Sequence, residues 1–217
     1  MKLALGLAVI LCLMACSAPV NNQTTVRQEI LLNSGWTFSK GNPPDAFRPS
    51  FDDSKWESVE VPHDWAIYGP FDKKIDKQVV AIEQNGETIA TEKTGRTGAL
   101  PYIGEAWYRN RFSLPESHDD KKVLLLFEGA MSEPEVYLNG AKVGEWKYGY
   151  SYFYFDITDY LKHSGDNLLA VKLSNVGLSS RWYPGAGLYR KVQLIITNTS
   201  HFKQWGTFIT TPSITEN

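Results

Sequence analysis

The run Ser180, Arg181, Trp182, Tyr183, Pro184, Gly185, Ala186, Gly187, Leu188, Tyr189, Arg190 gathers side chains suited to a polyhydroxylated ring. Flat aromatic faces at Trp182 and Tyr183 stack on the C–H patches of a sugar, while the Arg181 guanidinium donates to hydroxyls or a carboxylate. Pro184, Gly185 and Gly187 force a tight return into a following strand. Other groupings carry less chemistry. Glu133 and Glu135 share one strand face but flank Pro134 at a strand start, where exposed acids are ordinary. Ser117, His118, Asp119 and Asp120 are adjacent in a loop, which is not the geometry of a nucleophile, base and acid, and a surface turn accounts for them. His63 and Asp64 lack a third ligand nearby, so no metal site is assigned, and nothing calls for a cofactor.

These residues must be held by strands. Short alternating or apolar runs recur from Trp36 to Thr197 with turn signals between them, and no segment keeps a helical period for three turns. The fold class expected is all-β, a sandwich or jelly roll. Strands are predicted at Val79 to Glu83, Trp107 to Phe112, Lys122 to Glu128, Glu135 to Leu138, Lys142 to Trp146, Tyr152 to Asp156, Asn167 to Ser174 and Val192 to Thr197. Asn139-Gly140 and Asn85-Gly86 suit two-residue hairpin turns, because Asn and Gly tolerate positive φ. A single helical turn is expected at Thr158 to Lys162. The run Leu124 to Phe127 is continuously apolar and predicts a central strand buried on both faces. Tyr148 to Phe155 is densely aromatic, with a core strand favoured over a ligand platform. Asp72 to Gly98 turns charged and polar and reads as an insertion with a solvated face.

The first residues have the layout of a secretory leader: Lys2, an apolar run from Leu3 to Met14, then Ala15 and Cys16. The run is too short to span a bilayer. Leu13-Met14-Ala15-Cys16 has the form of a bacterial lipobox, so residues 1–15 are expected to be a signal peptide and Cys16 the lipidation site, with the product exported and anchored to the cell envelope by lipid alone. Residues 16–27 then form a linker. Cys12 and Cys16 are the 2 cysteines of the 217-residue chain, so a mature product beginning at Cys16 has no disulfide framework. With 22 basic against 24 acidic residues and no long like-charge block, the chain offers nothing to nucleic acid.

Taken in order, Gly35-Trp36-Thr37-Phe38, Val61-Pro62-His63-Asp64-Trp65, Trp107-Tyr108-Arg109, Phe127-Glu128-Gly129, Val136-Tyr137-Leu138-Asn139-Gly140, Phe155 to Leu161 and Arg181 to Arg190 resemble the N-terminal sugar-binding domain of glycoside hydrolase family 2. The family includes β-galactosidases, β-glucuronidases and β-mannosidases. The resemblance implies a galactose-binding-like jelly roll over residues 28–200, followed in complete members by an immunoglobulin-like domain and a (β/α)₈ barrel that holds both catalytic carboxylates. Residues 201–217 would then be a linker and the first strand of that next domain. The family's acid/base Glu follows an Asn, and no Asn-Glu dipeptide occurs here. The stretch after Thr197 also falls far short of the roughly 250 residues of a barrel. The function expected is sugar recognition for a β-galactosidase-like glycosidase, as a fragment inactive alone. The alternative is a non-catalytic carbohydrate-binding lipoprotein.

Substrate contacts implied by the resemblance centre on Arg181, Trp182 and Tyr183, with Asp64, Trp65 and Tyr102 near the same rim. Several relatives place an Asp where Arg181 stands. Arg181 donates but does not accept, which favours other hydroxyl orientations or an anionic group. Each residue keeps a plainer reading: an ion pair fixing the loop for Arg181, packing at a sheet corner for Trp182 and Tyr183, and a turn cap for Asp64.

Overall fold

A computed structural model describes residues 27–68, 72–74, 77–93, 104–114, 118, 120–162, 164–175 and 185–214. Among them the regular elements are strands and two 3₁₀ turns. The strands are β1 (Arg27–Leu31), β2 (Trp36–Lys40), β3 (Glu57–Val59), β4 (Gln78–Val80), β5 (Thr91–Lys93), β6 (Gly104–Phe112), β7 (Lys121–Phe127), β8 (Glu135–Leu138), β9 (Ala141–Glu145), β10 (Phe153–Asp156), β11 (Asn167–Asn175) and β12 (Val192–Asn198). A four-stranded sheet in the order β1-β12-β7-β10 packs against a six-stranded sheet in the order β3-β2-β6-β11-β8-β9, and β4 pairs with β5 apart from both. The fold is the expected all-β jelly-roll sandwich.

Alternation decides which side chains meet between the sheets. Trp36 and Phe38 of β2, Ala106 and Tyr108 of β6, and Leu169, Val171 and Leu173 of β11 face Val123, Leu125 and Phe127 of β7 and Val192, Leu194 and Ile196 of β12 in one core. The Trp36 indole N–H, buried in that core, donates to Leu32 O at 2.7 Å. β7 is buried on both faces, as its apolar run predicts. Leu124 and Leu126 turn away from the main core and join Ile195 in a second cluster against Tyr154. Trp205 meets the edge of Tyr154 at 5.3 Å, so the chain beyond β12 returns across this outer face. From 207 to 214 the described chain is exposed and outside any strand.

The Asn139-Gly140 hairpin is present between β8 and β9, with φ of 54° and 91°. Asn139 also works as a tie: its Nδ2 donates to Tyr160 O at 2.8 Å and its Oδ1 accepts from Leu168 N–H at 3.0 Å. Two expectations are corrected. Asn85-Gly86 is not a two-residue hairpin, because Glu83–Asn85 winds into a 3₁₀ turn that Gly86 closes at φ 76°, leaving a longer connection from β4 to β5. Tyr148 to Phe155 is not one core strand. Phe153 is buried, but Tyr148 and Tyr152 are 60% and 50% exposed, because the chain loops from one sheet to the other before β10 begins.

Candidate functional site at one end of the sandwich

The loops gather where β7 ends and β12 begins, since Phe127 pairs with Val192 and with Phe153 at the start of β10. Residues 128–134 leave this end for β8, 185–191 arrive at it, and 146–152 bridge the two sheets beside them. Met131 and Gly187 exchange two backbone hydrogen bonds, each 2.9 Å. His63 N–H donates to Leu188 O at 2.8 Å and Trp65 N–H to Ala186 O at 3.0 Å. Segments 61–66, 129–132 and 185–190 are therefore laced together through main chain, which fixes their side chains more firmly than loop packing alone.

Gly187 permits the lacing. Its φ is 117°, and a Cβ there would lie 2.4 Å from Tyr108 Oη and 2.6 Å from His63 O. Tyr108 Oη lies 2.7 Å from His63 Nδ1. Burial pushes the Tyr108 hydroxyl well above its ordinary range, although the Leu188 backbone acts in the opposite direction. The phenol keeps its proton and shares one hydrogen bond with the imidazole, whose direction follows the ring's tautomer. Burial in turn pushes His63 below its usual value, against the pull of Glu57 and Asp64.

Burial of His63 sets a pH dependence. The unfolded His63, near its ordinary pKa of about 6.5, binds a proton that the folded imidazole resists. The stabilising contribution of the neutral ring is complete above that value and is lost as pH falls through the lower folded pKa. Urea midpoints are expected to drop between pH 7.5 and 5, and to drop less for His63→Gln. Parallel pH profiles for the two proteins would rule His63 out as the cause.

Asp64 stands beside the 185–190 loop. Its Oδ1 accepts from Ala66 N–H at 3.0 Å, which is the turn cap, and its Oδ2 lies 3.7 Å from where a Gly185 Cβ would be. One carboxylate oxygen thus holds its own turn while the other faces the neighbouring loop. Trp65 is 3% exposed and its ring stacks on Phe38 at 5.6 Å and 24°, so it anchors the loop from the core. Arg190 does what loop ordering requires: its guanidinium sits 5.3 Å over the Tyr189 ring and donates to Glu128 O at 3.4 Å. Arg181, Trp182, Tyr183, Tyr102 and Cys16 lie outside the described residues.

Over residues 30–198 the sequence matches the family model described as glycosyl hydrolases family 2, sugar binding domain. The chain belongs to glycosyl hydrolase family 2. A β-galactosidase of Bacteroides ovatus is 38% identical to this family 2 domain over 203 residues, covering 93% of the chain and 22% of that protein. A solved family 2 member from Bacteroides cellulosilyticus superposes with a TM-score of 0.71 at 34% identity, covering 86% of the chain and 23% of that structure. A Bacteroides uniformis β-glucuronidase structure gives a TM-score of 0.70 at 30% identity over 88% of the chain and 21% of its own. The chain thus spans about a fifth of the length of the relatives it matches.

His63, Tyr108 and Gly187 were not singled out from sequence as a unit, though each falls in a motif quoted for the family. Their closeness depends on β6 passing beneath the crossing of two loops remote in sequence, and no local pattern encodes that.

Proposed function

We propose that this family 2 domain recognises a β-linked sugar at the loop-bearing end of the sandwich, as the substrate-positioning part of a β-galactosidase-like or β-glucuronidase-like hydrolase. The observation that carries this reading is the main-chain lacing of 61–66 to 185–190, which sets Asp64 against the glycine-rich end of the sugar-contacting loop. The family model's description and the names of the relatives support the same class of ligand. Retaining hydrolysis needs two carboxyl groups about 5 to 5.5 Å apart across the glycosidic bond. In this reading both come from a barrel domain that works with this one through an immunoglobulin-like domain, and Asp64, already holding its own turn, contributes binding. Arg181 then governs specificity, because a guanidinium rewards an anionic or acceptor-rich sugar. The chain of 217 residues is expected to release no nitrophenol from aryl β-galactoside, β-glucuronide or β-mannoside. Turnover by the purified chain would overturn the assignment of chemistry to another domain.

Export and lipid anchoring through Cys16 form the second part of the proposal, supported by the lipobox form of Leu13 to Cys16. Labelled palmitate is expected to enter the protein in a bacterial host and to be lost in Cys16→Ala. Equal labelling of the two would refute it. The same anchor suits the second reading, a surface lipoprotein that captures glycans without cleaving them. Micromolar glycan affinity in the isolated chain, with no hydrolysis, would favour that reading over a positioning domain that needs its barrel.

A further inference from the structure

The loop from β9 to β10, Trp146-Lys147-Tyr148-Gly149-Tyr150-Ser151-Tyr152, exposes aromatic rings on a backbone that is firmly held. Tyr148 is 60% exposed and Trp146 is 38% exposed. The Tyr150 ring lies 5.6 Å from that of Tyr148, inclined at 59°. From the same loop a column of rings runs into the core: Trp146 stacks on Phe153 at 5.6 Å and 13°, and Phe153 on Phe127 at 4.8 Å and 8°. The Trp146 indole N–H donates to Ser151 Oγ at 3.1 Å, closing the loop on itself.

Two further contacts join this loop to the site already described. Tyr189 Oη donates to Gly149 O at 2.8 Å. A Cβ at Gly149 would come within 2.6 Å of Met131 Sδ, so the glycine seats the loop directly on the 129–132 segment. Exposed rings on a flexible loop would lose ordering entropy on meeting a ligand, whereas rings on a tied loop have already been positioned. Tyrosine suits a hydrated ligand with apolar patches, because it offers a ring face for C–H groups and a hydroxyl that both donates and accepts.

We propose that Tyr148 and Tyr150, on the loop that Trp146 anchors, form a stacking platform for a second sugar ring, so that the domain takes β-linked oligosaccharides in preference to single sugars. The platform rests on the sugar-recognition reading and deepens it. A glycan seated beside Asp64 and the 185–190 loop passes onto the 146–152 loop through their shared contact at Tyr189 and Gly149.

Titration calorimetry with the full chain tests the idea, using methyl β-galactoside, methyl β-glucuronide and methyl β-mannoside beside β-linked tetrasaccharides of the same sugars. At least one tetrasaccharide is expected to bind about tenfold more tightly than its methyl glycoside, which is the order of one aromatic stacking contact. Tyr148→Ala should remove that tenfold gain and leave the methyl glycoside unchanged, while Tyr148→Phe keeps most of it. Equal affinity for single sugars and tetrasaccharides overturns the platform while sugar recognition stands. A tetrasaccharide preference that survives Tyr148→Ala and Tyr150→Ala together also overturns it, and marks the aromatic patch as a packing face. Absence of binding by every glycan overturns the platform and leaves in place the reading beneath it, a positioning domain that needs its barrel. Tyr148 is exposed and Tyr150 half-buried, and unfolding midpoints of the two alanine variants close to that of the parent exclude misfolding as the cause of a loss.

Discussion

Gly187→Ala should lower unfolding free energy by about 3 to 5 kcal/mol, the sum of a strained positive-φ backbone and an overpacked contact. A methyl group at this position would stand 2.4 Å from Tyr108 Oη and 2.6 Å from His63 O. Neither neighbour is free to withdraw. Tyr108 is fully buried on β6 and bonded to His63, and the His63 backbone belongs to the segment already tied to Leu188. Gly185→Ala supplies the comparison. It too has positive φ, at 85°, but the nearest atoms to its Cβ lie at 3.5 to 3.7 Å, which is ordinary contact. That variant should pay only the left-handed backbone cost, about 1 to 2 kcal/mol. Urea unfolding of both variants separates strain from crowding. Equal midpoints would show that the end of the sandwich yields easily, and would remove the argument that backbone lacing holds the site.

The contrast between these two glycines also shows how far the sequence could be read. Both are turn residues by type, yet only the packing shows that Gly187 alone of the two sits where three segments cross. Strands with clear alternation or apolar runs, such as Lys121–Phe127, Glu135–Leu138 and Asn167–Asn175, fell within a residue or two of their predicted ends, because each carries its own burial pattern. β1, β2, β3 and β5 lie outside the predicted strands. Arg27–Leu31 is mostly exposed and pairs with β12 without an apolar face of its own, and Glu57–Val59 buries one residue of three, so partner strands define both. The site was legible in part for the same reason. Asp64 closes a turn after a strand, as its residue type suggests, and the fold sets that turn beside residues 185–190. That Trp65 points inward depends on Phe38 lying beneath it, a tertiary fact. Exposure of Tyr148 likewise follows from the chain changing sheets, which composition does not record.

Arg109 is the most consequential residue whose role the sequence left open, since alternation along β6 places it on the outer face, where a solvated charge would be unremarkable. It is instead 1% exposed beneath residues 41–56, which fold over that face. The guanidinium donates from Nε to Asp53 Oδ2 at 2.8 Å, from Nη1 to Ala46 O and to Arg48 O, the latter at 3.0 Å, and from Nη2 to Phe51 O at 3.3 Å. It also lies 5.4 Å over the Phe51 ring and 6.0 Å over that of Trp56. One side chain therefore pins the covering segment against Trp107 and Ala170 of the sheet, with Ala46 completing that small core. Arg109→Met keeps much of the volume but strands three carbonyls and a carboxylate, and should cost about 3 to 5 kcal/mol. Arg109→Lys should recover only a minor part, because an ammonium cannot reproduce the planar set of donors.

A pH measurement distinguishes loss of the ion pair from loss of packing. In the parent protein, burial pushes the Asp53 carboxyl up, but the Arg109 hydrogen bond and charge and the Thr37 hydroxyl outweigh it and hold the group below its ordinary value. That contribution is complete above the unfolded pKa of about 3.9 and is lost as pH falls through the lower folded one. Without Arg109 the burial effect is opposed only by weaker partners, so the folded pKa should rise above the unfolded one. Stability attributable to Asp53 then falls as pH increases through the interval between them, which reverses the sign of the dependence. Asp53→Asn should accordingly destabilise the parent at neutral pH yet stabilise Arg109→Met. If Asp53→Asn instead shifts both backgrounds equally, the two residues are not coupled, and the cost of losing Arg109 belongs to the carbonyls and the aromatic rings around it.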